Sequence, residues 1–200
     1  TLLMAYPLSK TEEQFKARKY YVWILIFAMI FDGGLVPNYL LVKKMGLFDT
    51  MMALILPMSV PIYNVILAMN FMKQLPYTIE EAAMMDGASY FQRFLRIILP
   101  LSKPMIATIT LFSFLTRWNS WFDGKIYMNN SANYPLQTYL QALITKTTLT
   151  NAADAIEQAL SNAKTLQAAQ LFLTLLPILV IYPFLQKYFT KGLTVGAVKG

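Results

Sequence analysis

Four apolar stretches constrain this chain more than any other feature of its sequence. A helix needs about 20 mostly apolar residues to cross the hydrocarbon core of a bilayer. Four segments come close to this length and composition, at residues 21–42, 50–71, 104–122 and 166–185. We therefore predict an all-α fold, a polytopic membrane helix bundle with about four spans in these 200 residues.

The predicted spans carry residues that a simple membrane anchor lacks. Proline removes a helical hydrogen bond and kinks the helix, so neighbouring helices or water must satisfy the freed carbonyl groups. Such spans are typical of a bundle around a polar pathway. The interruptions are Asp32, Pro57, Pro61, Asn64, Asn119, Pro177 and Pro183.

The composition excludes several classes of function. Only 14% of the residues are charged, against about 25% in ordinary soluble domains. The chain contains no cysteine and no histidine, which excludes disulfides, thiol catalysis and the usual zinc sites. The net charge is +7, but no basic run is interleaved with aromatic residues. We therefore expect no nucleic-acid partner and no metal site.

The lysine and arginine positions predict the orientation of the spans. Cytoplasmic loops of membrane proteins carry an excess of these residues. The basic groups at 10–19, 73–103 and 187–199 alternate along the chain with less basic segments. We therefore place these three groups, and the C-terminus with them, in the cytoplasm. Residues 123–165 are then external, with a helix predicted at 151–166. We also expect 1–7 to be the inner end of an earlier span, which makes the domain at 1–200 N-terminally truncated.

Residues 75–100, called the 75–100 loop, are predicted to form a cytoplasmic helix-turn-helix. Pro76 suits the start of a helix, Thr78 is a candidate cap, and Glu80 and Glu81 fall in the first turn, where the helix dipole favours acids. Gly87 offers a positive φ that can end the helix, or allows a close approach. A second helix is predicted from the spacing of Phe91, Phe94, Leu95 and Ile98.

The 75–100 loop resembles the cytoplasmic loop shared by permeases of binding-protein-dependent ABC importers. That family pattern is Glu-Ala-Ala, three residues, Gly, nine residues, Ile, any residue, Leu-Pro. It is met here without departure by Glu81, Ala82, Ala83, Gly87, Ile97, Leu99 and Pro100.

Further segments are similar to carbohydrate importers of the maltose-type permease superfamily, in the branch for oligosaccharides or complex sugars. They lie at 5–10, 33–37, 117–122, 182–192 and 196–200. Asp32 stands where a small polar residue is expected in that family.

The resemblance implies a type I ABC importer permease in the cell membrane, and not an enzyme. Separate ATPase subunits would bind ATP and Mg²⁺, and this chain would hold no cofactor of its own. An external solute-binding protein would deliver the carbohydrate, and a second permease subunit would complete the path through the lipid. The ATPase-coupling residues implied are Glu81, Ala82, Ala83, Asp86, Gly87, Ile97, Leu99 and Pro100.

Alternatives stay open for the residues outside the loop. Tyr63 and Asn64 are candidates for the translocation path, or bond to neighbouring helices. Trp118 and Asn119 are candidates for sugar stacking and hydrogen bonding, whereas the tryptophan also suits the aromatic belt at the membrane interface. The alternative functions are a secondary transporter, which favours an internal repeat and paired charges in its spans, and a membrane enzyme or scaffold.

Overall fold

The computed structural model describes residues 1–149, 164–165 and 167–183 of the chain. Within these residues all regular structure is helical, which confirms the predicted all-α class. Short 3₁₀ turns cover Leu56–Met58 and Ser131–Asn133, and one π-helical turn covers Phe94–Ile98. The α-helices are α1 (Leu2–Ser9), α2 (Arg18–Ile30), α3 (Leu35–Lys44), α4 (Met51–Ile55), α5 (Ile62–Lys73), α6 (Tyr77–Met85), α7 (Tyr90–Arg93), α8 (Leu99–Leu101), α9 (Lys103–Trp118), α10 (Phe122–Tyr127), α11 (Leu136–Leu149) and α12 (Gln167–Pro183).

The first two predicted spans are each divided into shorter helices. At 21–42 the chain leaves α2 after Ile30 and enters α3 after Gly34, whose φ of 83° is incompatible with a continuous helix. At 50–71 the division lies at 56–61, where Pro57 and Pro61 lack the backbone N–H that a helix needs. The third predicted span corresponds to α9, and the described part of the fourth to α12.

Across the described residues, no single helix has both the length and the apolar composition to cross a membrane. Three pairs of consecutive helical segments, each bent at a short break, pass that test together. These pairs are Arg18–Ile30 with Leu35–Lys44, Met51–Met58 with Ile62–Lys73, and Tyr90–Leu101 with Lys103–Trp118.

The described chain forms two compact units. The first contains Thr1–Asp32 and Val60–Ser113, and its core forms where α1 packs along α5. Small residues permit this approach, since Ala5 and Ala68 are both fully buried. Further core side chains come from α1, α2, α5, α9 and the π-helical turn, and they include Leu25, Val65, Met69, Phe94, Ile98 and Met105.

The second unit contains Gly33–Ser59 and the described part of Phe114–Phe184. Its small core joins Val42, Ala53 and Tyr127. The helix predicted at 151–166 falls almost wholly outside the described residues, as does the segment 184–200 with the C-terminus.

Candidate functional site

The start of α6 is set by Pro76, which occupies the N-cap position. No side chain caps this end, so the expectation that Thr78 is a cap is wrong. Proline already removes one of the unsatisfied N–H groups of a first helical turn, which lessens the need for a capping oxygen. Of the two neighbouring acids, Glu80 alone lies in the first turn.

The turn between the two helices is closed by backbone hydrogen bonds around Gly87. Its φ is 78°, which confirms the predicted left-handed conformation. The Gly87 N–H donates to the Met84 carbonyl at 3.0 Å, and the Ala88 N–H donates to the Ala83 carbonyl at 2.9 Å. This pair of bonds is the Schellman arrangement that ends α-helices at glycine. A Cβ built on Gly87 would meet nothing within 4 Å, so conformation, and not a close approach, explains the residue.

The second helix begins with a reciprocal cap. The Gln92 N–H donates to Ser89 Oγ at 3.3 Å, and the Ser89 N–H donates to Gln92 Oε1 at 2.8 Å. The Ser-x-x-Gln spacing is a known sequence signature of this capping box, and it could have been recognised before the structure.

Beyond α7 the backbone takes a π-helical turn from Phe94 to Ile98, then the short α8. π-helical turns are frequent at functional sites. Phe94 and Ile98 face the core, whereas Phe91 and Leu95 are exposed, so the four residues whose spacing predicted this helix lie in two different environments. The pattern residues Ile97 and Leu99 are half-buried, and Pro100 is exposed.

The predicted ATPase-coupling residues of the 75–100 loop are mostly exposed, and we call the surface that they form with Met85 and Phe91 the outer surface of the loop. Glu81, Ala82, Asp86 and Gly87 are exposed, and Ala83 is half-buried. Large apolar side chains lie on the same loop, with Met85 89% and Phe91 61% exposed. The outer surface of the loop therefore combines acids with apolar side chains that nothing in the described chain covers.

Glu80 faces the opposite way and is only 6% exposed. Its Oε1 accepts a hydrogen bond from the Tyr6 hydroxyl at 2.7 Å, and Lys10 Nζ donates to both carboxylate oxygens. Arg93 Nη1 lies 3.6 Å from Glu80 Oε1. Burial lowers the pKa of Lys10, and its hydrogen bond to Glu80 opposes that shift. We call these four side chains the Glu80 cluster.

The two candidates for the translocation path on α5, Tyr63 and Asn64, have different surroundings in the structure. Asn64 is 4% exposed, and its Nδ2 donates to Ser113 Oγ at 2.9 Å. This contact fits the interpretation that Asn64 bonds to a neighbouring helix. Tyr63 is exposed, and its ring centroid lies 6.4 Å from that of Phe112. Its place in a translocation path stays a prediction.

The candidates at the end of α9 also differ in their surroundings. Trp118 is half-buried, and its Nε1 donates to the Thr174 carbonyl at 3.1 Å. Asn119 is exposed, and its backbone N–H donates to the Leu115 carbonyl. Their roles in binding sugar stay predictions.

The structural contacts that Arg117 makes were not identified from the sequence. Its Nη1 donates to the Leu54 carbonyl at 3.3 Å, and its Nη2 donates to the Met58 carbonyl at 3.2 Å. Nη1 also lies 3.9 Å from the Asp123 carboxylate. A cation inside a predicted span, opposite a proline-rich break, is the sequence signal for such a contact.

Within the described residues, no three Asp, Glu, His or Cys side chains come together as a possible metal site. The notable assemblies are therefore the outer surface of the 75–100 loop and the charged cluster beneath it.

Comparison with known proteins decides the family. Residues 20–195 match the family described as binding-protein-dependent transport system inner membrane component. The chain belongs to this family. It is a family of transport permease subunits of ABC importers and not of enzymes, with ATP hydrolysis carried out by a separate ATPase.

Individual relatives agree with this assignment. The chain is 45% identical over 202 residues to Protein LplC of Bacillus subtilis (strain 168), with 100% of this chain and 68% of that protein covered. It is 37% identical over 201 residues to the polygalacturonan/rhamnogalacturonan transport system permease protein YtcP of the same organism, with 99% and 69% covered. The chain thus spans about two thirds of the length of these relatives.

A solved structure shares the fold. It is described as the crystal structure of a bacterial ABC transporter involved in the import of the acidic polysaccharide alginate. The TM-score is 0.75 at 30% sequence identity, and the match covers 92% of this chain and 66% of the other.

Proposed function

We propose that this chain forms part of a multi-pass permease subunit that translocates an oligosaccharide across the cell membrane, driven by a separate ATPase. The observation that carries the proposal is the exposed outer surface of the 75–100 loop. It presents Glu81, Ala82 and Asp86 on a helix-turn-helix that is closed by its own caps.

The chemistry of that surface suits a protein partner. Large exposed apolar side chains grouped with polar ones are typical of protein–protein contact sites. Met85 and Phe91 would supply apolar contact area for the ATPase. The small side chain of Ala82 would let the partner's backbone approach closely, and Glu81 and Asp86 would pair with polar groups around the contact.

The membrane-spanning part of the proposal rests on the first two bent helix pairs, on α9 and on exposed apolar helix surface. On α2 the side chains of Trp23, Phe27 and Ile30 are more than half exposed, and α12 exposes Leu171 and Phe172 in the same way. In a bilayer these apolar side chains would contact lipid instead of water, so the unfavourable free energy of exposing them to water would be avoided. The breaks at Gly34 and Pro61 would then lie against protein or a polar path, because lipid cannot satisfy free backbone groups.

The substrate class follows from the relatives' names. YtcP is named for polygalacturonan and rhamnogalacturonan, MelC for melibiose, raffinose and stachyose, and AraQ for arabinooligosaccharides. We propose a saccharide of more than one unit for this chain as well. A solute-binding protein would deliver it, and a second permease subunit would complete the path.

Reconstitution tests this division of labour. The subunit carrying these residues would be placed in liposomes with its ATPase, a second permease and the binding protein, and uptake of labelled oligosaccharide would be measured. We expect uptake to require ATP hydrolysis and every component. Uptake driven by an ion gradient without ATP would instead support a secondary transporter.

Cysteine labelling tests the proposed orientation, since the chain has no native cysteine. Ser131 and Glu12 are both exposed and lie in the predicted external and cytoplasmic segments. In intact cells an impermeant thiol reagent should modify S131C, and it should modify E12C only after permeabilisation. The reverse labelling would contradict the orientation.

A further inference from the structure

Glu80 and Glu81 are neighbours in sequence with opposite surroundings. Glu81 is exposed on the outer surface of the 75–100 loop, whereas Glu80 is 6% exposed beneath it. Carboxylates are almost never buried unless they are paired. The pairing partners of Glu80 therefore show what the inner face of α6 holds.

Those partners come from two other segments of the first unit. Tyr6 and Lys10 belong to the end of α1 and the turn after it, 74 and 70 residues away in the sequence. Arg93 comes from α7, on the far side of the Gly87 turn. One carboxylate thus joins both helices of the 75–100 loop to α1.

Apolar packing does not seal this junction. A cavity of about 140 Å³ lies beside it, lined by Lys10 and Glu80 together with Tyr77 and Ile98. The polar contacts between α6 and the turn after α1 are the Lys10–Glu80 ion pair and a hydrogen bond from Gln14 Nε2 to the Tyr77 hydroxyl at 2.6 Å. A buried ion pair adds little net stability, because the cost of desolvating both charges offsets their attraction.

The Glu80 cluster contains two cations and one carboxylate. Arg93 is 3% exposed, and its Nε has no hydrogen-bond partner. Without the Glu80 charge, the buried Arg93 and the half-buried Lys10 would be left as two uncompensated cations at the junction. Removing one partner of a buried pair is far more disruptive than the pair is stabilising, because the other charge is left uncompensated.

We propose that Glu80 is a positioning residue that transmits displacement of the 75–100 loop to α1. This inference rests on the proposed function, in which the ATPase moves the loop. Glu81 faces the ATPase, and Glu80 holds the loop to the membrane-facing part of the chain through Lys10. The two adjacent acids thus act on opposite sides of α6.

Lys10 offers the sharpest test because it lies outside the 75–100 loop. Lys10→Met removes the ion pair that joins Glu80 to the turn after α1. It leaves the Tyr6–Glu80 hydrogen bond and the Glu80–Arg93 pair in place, so the loop should still fold and bind the ATPase. Lys10→Arg restores a cation that can pair with Glu80. Glu80→Gln removes the junction from the other side. Glu12→Gln is the matched control, an exposed acid two residues after Lys10.

The measurement is the amount of oligosaccharide imported per ATP hydrolysed in the reconstituted complex, with co-purification of the ATPase as a second readout. We expect K10M and E80Q to lower this ratio by about tenfold, because each removes the Lys10–Glu80 ion pair and E80Q also leaves the buried Arg93 charge uncompensated, while the ATPase still co-purifies. K10R should recover most of the ratio, and E12Q should match the wild type.

Four outcomes would overturn the inference. An unchanged ratio in K10M would show that the junction carries no displacement, and loss of ATPase association in K10M would show a purely structural role. Failure of K10R to recover would show that the charge is not what matters. A wild-type complex without ATP-driven uptake would contradict the proposed function, and the inference with it.

Discussion

The Ala88 N–H donates to the Ala83 carbonyl at 2.9 Å, across a turn that Gly87 makes with a φ of 78°. Ala83 belongs to the family pattern in the first helix of the 75–100 loop, and Ala88 leads into the second. This single bond therefore ties the angle between the two helices to the left-handed conformation of one glycine.

The first prediction concerns Gly87. A β-branched residue in the left-handed region costs roughly 1–2 kcal/mol, so Gly87→Val should open the turn and change the angle between the helices. We expect ATP-driven uptake by the reconstituted complex to fall severalfold, with the subunit still inserted in the membrane.

Gly87→Asn is the matched control, because asparagine adopts the left-handed conformation more readily than other side chains. The space around Gly87 is open, so the added side chain should fit and uptake should stay near the wild-type rate. Equal uptake by the valine and asparagine variants would exclude a conformational role for this glycine.

Local sequence chemistry predicted the turn, whereas the Glu80 cluster needed the tertiary structure. A positive-φ glycine and the Ser89 cap are encoded within a few residues, so spacing alone can reveal them. The burial of Glu80 depends on Lys10, which is 70 residues away in the sequence. In the sequence Glu80 and Glu81 are equivalent first-turn acids, and only the contacts of Glu80 with Tyr6 and Lys10 separate them.

The sequence predicted where the spans are interrupted, but it did not predict which groups bind the backbone carbonyls at these breaks. Gly33, Gly34, Pro57 and Pro61 marked where the helices could not continue. Hydropathy cannot predict that Arg117 satisfies carbonyl groups at one of these breaks, because this contact depends on which helices are neighbours.

The second prediction concerns the apolar part of the proposed ATPase contact. Met85 is 89% exposed, and Met85→Asp would place a charge where the ATPase is proposed to cover an apolar side chain. Burying an unpaired charge is costly. The ATPase should co-purify poorly with this variant, as measured by affinity capture of the permease. Met45→Asp changes an exposed methionine on the opposite proposed side of the membrane, and it should leave the ATPase bound.

The third prediction distinguishes the two interpretations of Asn64. A double-mutant cycle with Asn64→Ala and Ser113→Ala should give a coupling energy of about 0.6 kcal/mol, the average for hydrogen bonds between membrane helices. Thermal unfolding of the detergent-solubilised complex would supply the four stabilities. Selectivity among oligosaccharides should be the same in all four proteins. An altered substrate preference in N64A with no coupling to Ser113 would instead favour a place in the translocation path.

The fourth prediction concerns Arg117, whose two terminal nitrogens bind the carbonyl groups of Leu54 and Met58. Lysine carries a single amino group on a flexible chain, so it cannot reproduce the geometry in which two guanidinium nitrogens bind two separate carbonyl groups. Hydrogen bonds to charged groups contribute about 1.5–3 kcal/mol each, so Arg117→Lys should lower the thermal stability of the complex by an amount in that range. Lys125→Gln removes an exposed positive charge from the same unit and should change stability little. The contact lies at the break in the second predicted span. If R117K were as stable as K125Q, water or another group would satisfy these carbonyls, and Arg117 would not stabilise the break.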